Sequence, residues 1–293
     1  MDFGLILPSY REGASTDSID AASETAARLG WHSVFTTDHI LVEPSELSAD
    51  YFNVFDAVAT LGHVAARQPS LLVGISVIVV PMRNAVVLAK ELATIDALSG
   101  GRLIAGVGVG WNRTEFEYVG AGDRFQHRGA YLDEAIAMWH QLWRGDQGPF
   151  HGRFHQFEEI RFAPLPAQGE DLVIWVGGRS PGALRRAGRL GHGYHSSATG
   201  PAQYESRAAI VRAAAAEARR PEPTFSARVR VAFGNEEAPF YVLTGDPDAM
   251  IRELRAFEAI GVSHVAVDFA ETDAERVRDL VERFDREVVA AVR

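Results

Sequence analysis

The run Gly177-Gly178-Arg179-Ser180-Pro181 has the composition of an anion site. Glycines let backbone approach a phosphate closely. Ser180 as N-cap and Pro181 at the first helical position predict a helix that starts here. Its free N–H groups and the positive end of its dipole would face the loop, and Arg179 would add a charged donor. The same residues also suit a plain tight turn between strand and helix. Ser196, Ser197 and Thr199 follow another short strand pattern and offer hydroxyls to the same anion, although taken alone they make only a polar loop. Thr37-Asp38-His39 sets a carboxylate beside an imidazole, the side chain suited to proton transfer near neutral pH. In the blander alternative, Asp38 caps a loop and His39 is hydrogen-bonded in the core.

Other chemistries find no support. The chain has no cysteine, which excludes disulfides, thiolate metal sites and cysteine nucleophiles. His127, His151, His155, His192 and His195 are scattered without ligand spacing, so no metal site is expected. No Gly-x-Ser-x-Gly elbow supports a hydrolase triad. A formal charge of −10 and an acidic pI argue against nucleic-acid and membrane partners. Neither a signal peptide nor an apolar run long enough to span a bilayer is visible, so a cytoplasmic location is expected.

These residues sit at the ends of regularly alternating elements. Strand patterns are predicted at Phe3–Leu7, His32–Thr36, Ser70–Val79, Arg102–Gly106, Leu172–Val176, Gly193–Ser197, Phe225–Phe233 and Val262–Asp268. Helices are predicted at Ser18–Leu29, Val54–Ala66, Ala85–Leu98, Gly129–Leu142, Pro181–Leu190, Ala202–Arg219, from Asp246-Pro247 to Gly261, and over the apolar face Val277–Val288. Residues 145–168 break the rhythm and read as a hairpin-like insertion. About eight βα units imply parallel strands with right-handed crossovers. A single-domain TIM (β/α)₈ barrel over residues 1–293 is therefore expected. No Gly-x-Gly-x-x-Gly turn follows the first strand, which disfavours a doubly wound sheet. In a barrel, function sits at the C-terminal strand ends, where the motifs above lie.

Residues 71–117 carry a specific resemblance. Val80-Pro81-Met82-Arg83-Asn84, Ala89 through Arg102, and Gly106-Val107-Gly108-Val109-Gly110-Trp111 with Glu115-Phe116 resemble the luciferase-like monooxygenase superfamily. Thr37-Asp38-His39, Trp175 through Ser180, and Gly193–Ser197 agree with it. Compact size and the Gly152-Arg153-Phe154-His155 segment look more like the branch that uses the deazaflavin coenzyme F420 than the larger FMN enzymes.

The resemblance implies a ring cofactor across the barrel mouth, contacted by Asp38, His39, Ser76, Val77, Val79, Gly108 and Gly110. It implies a non-proline cis peptide at Ser76-Val77. Gly177, Gly178, Arg179, Ser180, Ser196, Ser197 and Thr199 would hold the phosphate end. His39 becomes the candidate catalytic proton carrier or substrate orienter. Tyr10, Tyr51, Phe52 and Trp111 fit an apolar substrate pocket. Deazaflavin sugar-phosphate dehydrogenases of the family carry a glutamate base in place of Trp111, so a less polar substrate is expected. Arg83 and Lys90 are expected to be structural, on a helix far from the mouth. The expected activity is hydride transfer between deazaflavin C5 and a small organic substrate. The alternatives are an FMN monooxygenase supplied by a reductase, or a barrel that binds flavin without turnover. A homodimer is expected. The loops at 40–53, 112–128 and 234–240, which would choose the substrate, have no derivable shape.

Overall fold

The computed structural model describes residues 1–45 and 49–293; residues 46–48 of the loop at 40–53 lie outside the described residues. Eight parallel strands form the barrel wall: β1 (Asp2–Ile6), β2 (Ser33–Thr36), β3 (Leu72–Ile75), β4 (Leu103–Gly108), β5 (Val173–Gly177), β6 (Gly193–Ser197), β7 (Thr224–Phe233) and β8 (Val262–Asp268). Each pairs with the next in chain order, and β8 closes on β1 through Asp2↔His264 to Leu5↔Val267. Burial on both faces explains the nearly unbroken apolar strands, as in β4, Leu-Ile-Ala-Gly-Val-Gly, where every residue is buried.

The helices packed around the barrel are α1 (Thr16–Arg28), α2 (Ala57–Arg67), α3 (Ala85–Ser99), α4 (Arg128–Trp143), α5 (Pro181–Leu190), α6 (Pro201–Glu217), α7 (Pro247–Ile260) and α8 (Ala274–Phe284), with shorter ones between. Their starts follow from local capping. The side chains of Ser15, Asp56, Asn84, Ser180, Asp246 and Asp273 each accept a bond from a first-turn N–H. Gly100 and Gly261 end α3 and α7 in the left-handed conformation. Leu88, Leu92 and Ile95 of α3, with Leu132, Ile136 and Trp139 of α4, belong to the main core between strands and helices. The insertion is a two-stranded antiparallel hairpin, Phe150–His151 with Gln156–Phe157.

Two departures from expectation matter for the site. The strand predicted over Ser70–Val79 breaks after Ile75. The Ser76-Val77 peptide is cis, as the resemblance implies, and Ile78–Val79 then re-pairs with β4 at Val107 and Gly108. A short strand, Val242–Gly245, also extends the edge of β7 in parallel, from Arg230↔Val242 to Phe233↔Gly245. Its four residues were too few to show a period in the sequence.

Candidate active site

The C-terminal strand ends surround a cavity of about 450 Å³. The segment after β2 contributes Thr37, Asp38 and His39, and that after β3 contributes Ser76, Val77 and Val79. Gly108, Gly110 and Trp111 come from the end of β4, and Gly177 through Ser180 from the β5–α5 turn. A second cavity of about 430 Å³ lies alongside, lined by Tyr10, Arg11, Ser197, Arg230 and Asp268 among others. Tyr51, Trp111, Arg179 and Arg228 border both, so the two adjoin across the mouth.

His39 is held on three sides. Its Nδ1 lies 2.9 Å from Glu115 Oε2, with Glu115 almost wholly buried. The other carboxylate oxygen accepts the Ile40 N–H at 2.6 Å. The Tyr51 ring packs over the imidazole at 4.1 Å between centroids, and Trp111 meets it edge-on at 5.9 Å. A carboxylate on Nδ1 fixes the ring and favours a proton there, and His39 Nε2 has no protein partner among the described residues. The sequence placed Glu115 in a family motif without a role. It belongs to a short helix, Arg113–Tyr118, where the Asn112 side chain caps its N–H.

Asp38 borders the cleft, but its carboxylate is already engaged. One oxygen accepts the Val79 N–H at 2.8 Å and the other accepts Arg83 Nη2 at 2.6 Å. Asp38 thus pins the broken segment after β3 to the end of β2, close to the loop-capping alternative. Arg83 also reaches Asp56, the cap of α2, at 3.2 Å. The expectation that Arg83 lies far from the mouth is therefore corrected: it precedes α3 and supports the cavity floor through Asp38. Lys90 donates to the Ala163 carbonyl and lies against the Phe162 ring, tying α3 to the insertion.

The Val77 side chain lines the barrel mouth, and glycines make room for it. A β-carbon at Gly108 would stand 2.5 Å from Val77 Cγ2, and one at Gly177 would stand 3.0 Å from Val77 Cγ1. These glycines serve an apolar floor first. Gly108, expected at the ring, also lines the cavity. Gly110 has a positive φ of 72°, which glycine adopts without strain.

The end of the cleft at α5 is cationic. Gly178, Arg179 and Ser180 line it, all three exposed. The Ser180 side chain accepts the Ala183 N–H at 3.3 Å and is an N-cap as expected. Arg128, the first residue of α4, also lines this cavity, stacked 4.2 Å over the Phe125 ring, and its Nε is buried without a partner among the described residues. The predicted hydroxyl cradle does not form. Ser196 donates to Thr199 at 2.7 Å, Thr199 donates to the Ser197 carbonyl at 2.9 Å, and Arg207 also engages Thr199. Both hydroxyls are spent inside the loop, and Ser197 borders the second cavity instead. Phe52 is exposed and lines neither cavity.

Between the cavities lies a buried cluster that sequence reading missed. Arg228 Nη1 donates to the Ser76 carbonyl at 2.9 Å, and its Nη2 reaches Tyr10 Oη at 2.6 Å and Asp268 at 3.2 Å. Tyr10 donates to Asp268, and Arg11 reaches the same carboxylate at 3.1 Å. Burial alone would raise the Asp268 carboxyl, but Arg11 and Arg228 hold it well below its ordinary range. Burial pushes the Tyr10 phenol far up. Tyr10, expected as a substrate wall, is thus also a partner in this cluster. The hint in sequence was two arginines, Arg228 and Arg230, in a largely apolar strand.

Comparison with known proteins accords with this geometry. Residues 1–283 match the family described as luciferase-like monooxygenase. An F420-dependent glucose-6-phosphate dehydrogenase from Microbacterium testaceum is 30% identical over 174 residues, 58% of this chain and 49% of that protein. The chain spans about half the length of the curated relatives it matches. Among solved structures, an F420-dependent secondary alcohol dehydrogenase bound to an F420–acetone adduct superposes with a TM-score of 0.84 at 18% identity, covering 100% of this chain and 99% of the other. The FMN-bound oxygenating component of a type II Baeyer–Villiger 3,6-diketocamphane monooxygenase from Pseudomonas putida gives 0.82 at 16%, with the same coverage.

Proposed function

Because the chain belongs to the luciferase-like monooxygenase family, we propose that it is an oxidoreductase that binds coenzyme F420 across the barrel mouth and acts on a small organic substrate. The observation that supports this most is the single cleft joining a valine floor to a cationic, helix-capped end. Val77, Val79 and Val109 offer an apolar face, while Arg179, Arg128 and the N-terminus of α5 suit an anionic tail. The buried, unpartnered Nε of Arg128 is a donor still to be satisfied at that end. These residues fit a phosphorylated ring cofactor. The curated relatives that are F420-dependent dehydrogenases favour the deazaflavin form.

When bound, a deazaflavin supplies two-electron hydride chemistry at its C5. The chain's own residues bind, orient and manage a proton. Val77 and Val79 floor the cleft. The Glu115 carboxylate keeps the His39 ring in one orientation, with Nε2 as the atom that gives or takes a proton. Tyr51 and Trp111 wall the space next to it, where a carbonyl, alcohol or activated alkene would sit. Trp111 is half exposed at the rim, so substrate passes it on entry. Homodimer formation and a reductase that recycles the cofactor belong to the same proposal.

The second reading is FMN-dependent oxygenation, favoured by the likeness to the FMN-bound oxygenase fold. Stopped-flow mixing separates the two. The proposal predicts that protein carrying reduced F420 is oxidised by a carbonyl or alkene substrate and only slowly by oxygen. Rapid oxygen consumption with reduced FMN, and no turnover with F420, would overturn it.

A further inference from the structure

Beneath the cleft, a file of polar side chains crosses the barrel interior. Ser76 Oγ lies 2.8 Å from His195 Nε2, and His195 Nδ1 lies 2.8 Å from Ser226 Oγ. Ser226 Oγ lies 2.8 Å from His264 Nδ1, and His264 Nε2 lies 2.8 Å from Ser33 Oγ. The rings of Phe35 and Trp175 pack around both imidazoles. All five residues of the file are buried, Ser76 the least so at 6% exposure. Ser76 alone among them borders the cavity.

Proton counting gives this file a direction. Three hydroxyls and two neutral imidazoles carry five protons for four contacts. One proton is left over, and it must sit on a hydroxyl, because every ring nitrogen is engaged in a contact. On Ser226 or Ser33 the surplus proton would be buried with no further protein acceptor among the described residues, which is costly. On Ser76 it faces the cleft. We propose that His195, Ser226, His264 and Ser33 form a one-way hydrogen-bonded array that makes Ser76 Oγ a hydrogen-bond donor to the bound ring. The array then selects ligands that present an acceptor, a ring carbonyl or ring nitrogen, above Ser76.

In that state Ser33 donates to His264 Nε2, His264 Nδ1–H donates to Ser226, Ser226 donates to His195 Nδ1, and His195 Nε2–H donates to Ser76. Both imidazoles stay neutral. Burial pushes His195 down to about 3, and nearby Arg228 acts in the same sense. Burial, with His195 and His32 close by, also lowers His264 well below its ordinary range. His195 and His264 are positioning residues that act through Ser76. The Ser76 carbonyl is already taken by Arg228, so the hydroxyl is the polar group this residue has left for a ligand.

What Ser76 donates to rests on the cleft being a ring site; the direction of the array does not. The test is long-range ¹H–¹⁵N correlation on the full chain labelled in its imidazole nitrogens, without ligand, at pH 6 to 8. The expected spectrum shows His195 protonated on Nε2 and His264 on Nδ1, each assigned by its loss in His195→Gln and His264→Gln. A proton on Nδ1 of His195, or charge on either ring, would overturn the proposal. Ser33→Ala then removes the far donor. The array predicts that the His195 nitrogen shifts move toward a mixture of tautomers, and that this response vanishes when Ser226→Ala is added. Unchanged His195 shifts in Ser33→Ala would contradict it. With F420 and FMN as probes, Ser76→Ala is expected to weaken whichever one binds by up to about tenfold; equal affinity would refute the donor role. Binding of neither probe, with the tautomers as predicted, would sink the cofactor reading and leave the array standing.

Discussion

Lowering the pH from 7 to 5 should destabilise this protein through two side chains it never exposes. An imidazole in the unfolded chain titrates near 6.5. His195 is held at about 3, and His264 is also held well below its ordinary value. Between pH 7 and 5 the unfolded chain therefore takes up protons that the folded chain refuses. The sign follows: stability is fully present above pH 6.5 and falls as pH drops toward the folded values. His195 loses about 1.9 kcal/mol over this interval, and His264 adds a loss of the same sign. Carboxylates contribute little here, because in the unfolded chain they stay ionised down to about pH 5. With a urea slope of about 3 kcal/mol/M the unfolding midpoint should fall by about 0.6 M from His195 alone, and further with His264. The double variant His195→Gln/His264→Gln should lose most of that pH dependence, whatever its starting stability. A wild-type loss below about 1 kcal/mol, or an equal loss in the double variant, would refute the reasoning.

Three further outcomes are expected. His39→Ala should lower kcat by about 10²–10⁴-fold, while Glu115→Gln, which keeps the Ile40 bond but removes the charge, should cost less and leave cofactor affinity unchanged; parallel turnover assays and binding titrations check both. Gly108→Ala would place its β-carbon 2.5 Å from Val77 Cγ2 and should destabilise by about 1–3 kcal/mol, read by urea unfolding; relief by Val77→Ala in the double variant would confirm the clash as the cause. Arg228→Met leaves Asp268 with Arg11 as its remaining ion-pair partner and should cost about 3–5 kcal/mol, seen as a lower melting temperature. In that variant the Asp268 carboxyl should titrate at higher pH than in the wild type.

The fold was legible where its causes are local. Ser180-Pro181 and Asp246-Pro247 announce α5 and α7, and Gly261 ends α7, because caps are decided within a few residues. The strands Gly193–Ser197 and Val262–Asp268 were bounded correctly for the same reason. Partnerships across the barrel were not legible. Glu115 meets His39 across 76 positions, and Arg228 meets Ser76 across 152; no periodicity encodes such a pair. The hydroxyl cradle failed for a local reason that composition hides. Ser196 donates to Thr199 three residues on, and Thr199 donates to the Ser197 carbonyl. The glycines near Val77 were found as motif positions, but their immediate purpose appears only once Val77 is seen turned into the mouth.

Parallel fluorescence titrations of the protein with F420 and with FMN test the central claim most directly. The account predicts saturable F420 binding at micromolar concentration, at least tenfold weaker FMN binding, and loss of F420 affinity in Arg179→Ala. FMN binding tighter than F420, or F420 affinity indifferent to Arg179, would contradict it.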